Sequence, residues 1–144
     1  MYAADAYGKV AGKLGKHDVI VLADCLWMPS QHANLTRTIA QALDEGPDCC
    51  AIVVAGFHTG RGVVRDFFDV ASGAADGEVM DRENEADSVS MARVEKGQQS
   101  PRLKVEEIYE VDVNGQRRDW QKARPGEGKE EAKKWCVVAV LLPP

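Results

Sequence analysis

Two short segments hold most of the side chains in this chain that are able to do chemistry. One is Ala23-Asp-Cys-Leu-Trp-Met-Pro-Ser-Gln-His32 and the other is Gly56-Phe-His-Thr-Gly-Arg-Gly62. Together they offer a carboxylate (Asp24), two imidazoles (His32, His58), an indole (Trp27), hydroxyls (Ser30, Thr59) and a guanidinium (Arg61). Carboxylates and imidazoles are the groups best suited to taking up and returning a proton near neutral pH. Each residue also has a plainer use. Asp24 can bond the amides of a turn, Trp27 can pack beneath a helix, His32 can stand solvated in a first helical turn, and His58 and Arg61 can shape a loop.

Several other chemistries are absent. Gly60-Arg-Gly62 opens as GxG, but Arg65 stands where the third glycine of a dinucleotide fingerprint belongs. Five residues after Gly56 comes Arg61, with no GK[ST] following, so there is no Walker loop. No GxSxG nucleophile elbow occurs. Cys25, Cys49, Cys50 and Cys136 form no CxxC pair, and His17, His32 and His58 do not complete tetrahedral zinc spacing. Reduced thiols in or just after apolar runs fit a cytoplasmic protein.

Both segments follow apolar runs of strand length. Val19–Ala23 and Cys49–Ala55 are continuously apolar, which predicts strands buried on both faces, as in a parallel sheet. After the first run, Leu35, Ile39, Ala42 and Leu43 share one face of a helix over Ser30–Asp44, with Ser30 as its N-cap and Gly46-Pro47 as its stop. After the second, Val64, Phe67, Phe68 and Ala71 mark a helix over 61–72. Strand–helix alternation with short connections argues for βαβ units, and ligands of such sheets sit beyond the carboxyl ends of the strands. Leu103, Val105, Tyr109, Val111 and Val113 then share one face of a period-2 strand, with Glu107 as the exception. Asn114-Gly115 reads as a hairpin turn, Arg117–Lys134 as a polar stretch, and Trp135–Leu142 as a last buried strand added antiparallel. The order is β-α-β-α-β-β. Residues 73–101 carry six acidic side chains between Asp76 and Asp87 against Arg82 alone, and read as a disordered insertion.

The 144 residues make one domain at most, of ordinary globular balance with 44% apolar and 28% charged residues. The net charge is −5, and the halves divided at residue 72 carry −2 and −3. With no basic half, nucleic-acid and anionic-membrane binding are disfavoured. No apolar run approaches the roughly 20 residues that span a bilayer, and the first residues lack the apolar core of a secretory signal.

Five segments, HDVIVLADCLWMPSQHANLTRTIAQAL, AIVVAGFHTGR, RDFFDVA, VEEIYEVDVNGQRRDW and KKWCVVAVLLPP, resemble one family in this order. It is the fungal, nicotinamide N-methyltransferase-like branch of the seven-β-strand protein methyltransferases. Related members methylate lysines or the N-terminus of translation elongation factor 1-alpha. The resemblance implies an α/β fold, the C-terminal half of a Rossmann-like class I methyltransferase sheet. The family sheet is ordered three, two, one, four, five, seven, six. Val19–Ala23 is then similar to strand four, Cys49–Ala55 to five, Leu103–Val113 to six and Trp135–Leu142 to seven, with residues 1–144 a partial domain.

By the same resemblance, Ala23 and Asp24 line an S-adenosylmethionine pocket, and Tyr7-Gly8 stands where the family has a cofactor-touching Trp-Gly. Trp27, Ser30, His32 and Arg61 fall on the acceptor side. Met28-Pro29 replaces the Asn-His that many members have there. The implied activity is N-methylation of a protein lysine or N-terminal amine, with Asp24 and His58 helping the amine lose its proton. The family's strands one to three and its glycine loop lie upstream of the matched segments. The chain alone is therefore expected to bind the cofactor weakly or not at all and not to turn over, and strand four is left with an unpaired edge. A noncatalytic interaction module on the same fold, and an unrelated α/β binding domain, are the alternatives.

Overall fold

A computed structural model describes residues 15–77 and 101–144. The architecture is α/β, with a mixed sheet of five strands. In chain order the elements are β1 (Val19–Ala23), α1 (His32–Ala42), β2 (Cys50–Gly56), α2 (Arg61–Ser72), β3 (Lys104–Asp112), β4 (Arg117–Asp119), a single-turn α3 (Lys129–Ala132) and β5 (Trp135–Leu142). The sheet order is β1-β2-β5-β3-β4. β1 and β2 are parallel, while β5 lies antiparallel between β2 and β3. β1, β2 and β3 thus point one way and β5 the other, which brings Asp24 and His58 to the same edge of the sheet. Among the described residues no helix is long and apolar enough to cross a membrane. The expected disordered insertion falls mostly at 78–100, outside the described residues.

One face of the sheet is the core. Ala51, Val53 and Ala55 of β2 and Val137, Ala139 and Leu141 of β5 are buried there against Ile39 and Leu43 and against Val64, Phe67, Phe68 and Ala71 of α2. Burying each large apolar side chain contributes about 1.5–3 kcal/mol. The expectation of strands covered on both faces is corrected by β1. It stands at the sheet edge, with Val19 51% and Val21 63% exposed. Its unbroken apolarity does not report two-sided burial, because only Ile20 and Leu22 turn to the core side.

Three local expectations are also corrected. The period-2 face of β3 is broken by a bulge between Val105 and Glu107. Leu103 and Val105 meet the core, but beyond the bulge Ile108 and Glu110 do so, while Tyr109 and Val111 move to the other side. One extra residue flips every later side chain. Second, Ser30 is not the N-cap of α1. A 3-10 turn over Pro29–Gln31 comes first, and the His32 amide is met by the Pro29 carbonyl. Third, α1 ends before Asp44, because Leu43 turns extended beside His17 and the Asp44 amide donates to the His17 carbonyl at 2.9 Å. The Asn114-Gly115 turn does close a hairpin. Asp112 Oδ1 accepts from the Asn114 and Gln116 amides, and Gly115 takes the positive φ of 80° that the turn requires. Its second strand, β4, carries no apolar signal and lay hidden in the polar stretch.

Candidate functional site

Asp24 ends β1 in a left-handed conformation, φ 54°, which a non-glycine residue seldom adopts. Its amide still donates to the Val54 carbonyl at 2.7 Å, so the β1–β2 ladder runs one residue past β1 before the chain turns away. Leu26 then dives into the core, at 2% exposure, leaving the Asp24 side chain on the surface. At the tip of β2, Phe57 is buried and His58 is exposed. Gly56 lets the imidazole fold back over the strand, since a Cβ there would lie 3.2 Å from His58 Nδ1. Asp24 Oδ1 and His58 Nδ1 are 3.8 Å apart. This exceeds a direct hydrogen bond but leaves the two groups close enough to attract each other when the ring is charged.

The other expected site residues divide. Ala23 and Ser30 are exposed, as is Trp27 at 55%, so the indole is not packed under a helix. Tyr7 and Gly8 lie outside the described residues. His32 is corrected from acceptor-side to core. It is 2% exposed, its Nε2–H donates to the Leu26 carbonyl at 2.9 Å, and its ring meets Phe67 edge-on. It thereby holds the loop that carries Asp24. Cys25 is exposed, and all four thiols are free. Cys136 pairs with Gly56 across the ladder, and burial followed by the Asp24 charge pushes its thiol pKa up, keeping it protonated.

Arg61 is corrected in the same way. Rather than facing an acceptor, its guanidinium is bound to the Glu110 carboxylate, to Glu127 at 2.8 Å and to the Gln121 carbonyl, and lies 4.1 Å from the Phe57 ring centroid. Glu110 is fully buried and also receives Arg118 at 2.7 Å and Arg124 at 3.4 Å. Burial alone would raise the Glu110 pKa, but the hydrogen bonds from Arg61 and Arg118 outweigh it, and the carboxyl is held below its ordinary range. Burial likewise works against the Arg61 charge, and Glu110 and Glu127 more than restore it. Glu127 joins Arg61 to Arg118, which also lies 3.7 Å over the Trp135 ring centroid.

This network pins the 120–128 segment against the start of α2. Residues of both, together with His58 and Thr59, line a groove of about 410 Å³. Sequence reasoning missed Glu110, Arg118, Arg124 and Glu127. The one available signal was a glutamate inside a strand, and the bulge disguised which way it points. Among the described residues no three His, Cys, Asp or Glu side chains stand together to hold a metal ion. Comparison with protein-family models, with curated proteins and with solved structures finds no match to this chain.

Proposed function

We propose that this chain is part of an S-adenosylmethionine-dependent N-methyltransferase of the Rossmann-like kind, acting on a protein lysine or N-terminal amine in the cytoplasm. The observation that carries the reading is the strand order β1-β2-β5-β3, with β5 antiparallel between β2 and β3, and an aspartate at the tip of β1 beside a histidine at the tip of β2. The residues at this edge suit one side of such a cofactor. The Asp24 carboxylate is exposed toward solvent, Ala23 presents only a methyl group, and Trp27 offers an open aromatic surface.

Bound there, S-adenosylmethionine supplies a methyl group activated on a positively charged sulfur. The chain's own contribution is alignment and proton removal. Asp24 and His58 stand where an incoming ammonium can lose its proton, and His32 and Phe57 anchor the two loops from beneath. Translation elongation factor 1-alpha, a substrate of related methyltransferases, is the first acceptor to assay.

The described residues supply the Asp24 side of the cofactor only. Each missing bond to a charged cofactor group is worth roughly 1.5–3 kcal/mol, so two of them remove several decades of affinity. Titrating the nitrogen-15-labelled chain with S-adenosylhomocysteine tests this. Weak, millimolar shifts confined to the amides around Ala23, Asp24 and His58, and lost in Asp24→Ala, are expected. No perturbation at that edge would overturn the cofactor reading. Micromolar affinity by calorimetry would overturn the claim that only one side of the site is present.

A further inference from the structure

The groove beside His58 has an electrostatic character that the chain as a whole lacks. The protein carries −5, yet the groove walls bear Arg61, Arg65, Lys122, Arg124, Lys129 and Lys133 against the single carboxylate Glu127. These cations come from separate parts of the chain: the first turns of α2, the 122–127 segment, and α3 with the residue after it. The tertiary structure therefore gathers them.

Two features point to an anionic occupant. The network flanking the groove holds three guanidiniums, of Arg61, Arg118 and Arg124, on only two carboxylates, Glu110 and Glu127. Arg61 is 9% exposed and Arg124 19%, so the surplus positive charge is largely withdrawn from water. A partly desolvated charge is costly until an opposite charge meets it. Arg124 reaches Glu110 through Nε at 3.4 Å and the Asp119 carbonyl through Nη2, which leaves donors on its fork for another acceptor. Independently, Lys129 forms no ion pair among the described residues. The remaining lysines are held by exposed pairs, Lys122 with Asp69 and Lys133 with Glu130, which are worth little and exchange readily.

We propose that this groove binds an acidic peptide segment, with the peptide's carboxylates on Arg124, Lys129 and Lys133. The cations are contributed by three separate segments that line one groove, Arg61 with Arg65, Lys122 with Arg124, and Lys129 with Lys133. That arrangement suits several carboxylates carried on an extended chain. Binding itself follows from the charged residues that line the groove. Its consequence for catalysis rests on the methyltransferase reading above. Because His58 lines the same groove, a peptide held by its acidic residues would bring a neighbouring amine near the Asp24–His58 pair, and the acceptor would be a lysine or N-terminus flanked by Asp or Glu.

The test is fluorescence anisotropy of the whole chain with a labelled Glu/Asp-rich peptide, without cofactor, so that the outcome does not depend on methyl transfer. Binding is expected to weaken with added salt. Lys129→Glu combined with Lys133→Glu should weaken it about tenfold or more, roughly 1.4 kcal/mol. Lys104→Glu, on a β3 residue outside the groove, should leave it unchanged, as circular dichroism verifies that each variant is folded. A matched Gln/Asn peptide should not bind. Absent binding, equal loss in the Lys104 variant, or tripolyphosphate binding in the groove without any peptide binding would each overturn the proposal.

Discussion

Replacing Glu110 by glutamine keeps its shape and removes its charge, and its environment makes the consequence large. The side chain is fully buried and takes hydrogen bonds from Arg61, Arg118 at 2.7 Å and Arg124 at 3.4 Å. In the variant, Arg61 and Arg118 are left on the single carboxylate of Glu127, Arg124 loses its only carboxylate partner among the described residues, and the glutamine amide must direct its own donors toward other donors. Breaking a buried ion pair by removing one partner costs about 3–5 kcal/mol, a large share of the roughly 5–15 kcal/mol that holds a domain together. Urea denaturation of the two proteins measures the difference directly. Glu107→Gln provides the comparison, because the Glu107–Arg117 pair is more than half exposed on both sides and its loss should cost under about 1 kcal/mol.

The acid dependence has a definite sign. Because the folded Glu110 pKa is depressed, its stabilisation is present above the unfolded carboxyl value near 4.3 and disappears as the pH falls through the lower folded value. Glu110→Gln should therefore lose most stability near neutrality and converge on the wild type in acid. A Glu110→Gln variant within about 1 kcal/mol of wild type at neutral pH would refute the network argument.

Phe67→Ala empties a fully buried position between α2 and the sheet and should cost about 3–5 kcal/mol by the same denaturation assay. Gly73 closes α2 with φ 77°, and a Cβ there would lie 2.6 Å from Arg102 Nε. Gly73→Ala should therefore lower stability by about 1–2 kcal/mol, visible as a reduced denaturation midpoint. Val21 is 63% exposed on the edge strand β1, so Val21→Lys should reduce concentration-dependent self-association in sedimentation velocity without loss of fold.

Much of the framework was legible from apolar runs and helical periodicity. Val19–Ala23, Trp135–Leu142 and the helix over 61–72 stand where the pattern puts them, because strand and helix periods are local properties of the chain. Asp24 and His58 were likewise legible as neighbours, since residues at the carboxyl ends of adjacent parallel strands must share one edge. What the sequence could not decide is which polar residues turn inward. A bulge between Val105 and Glu107 sends Glu110 into the interior, and this follows from pairing with β5, nearly thirty residues later. His32 and Arg61 looked like site residues by type and position, but only three-dimensional packing shows one bound to the Leu26 carbonyl and the other to two carboxylates distant in sequence. The cationic groove arises in the same way. Lys129 and Lys133 read as a solvated polar stretch until the Arg61–Glu127 contact folds that stretch against α2. Side-chain periodicity is written locally, whereas the pairing of buried charges depends on which distant segments meet.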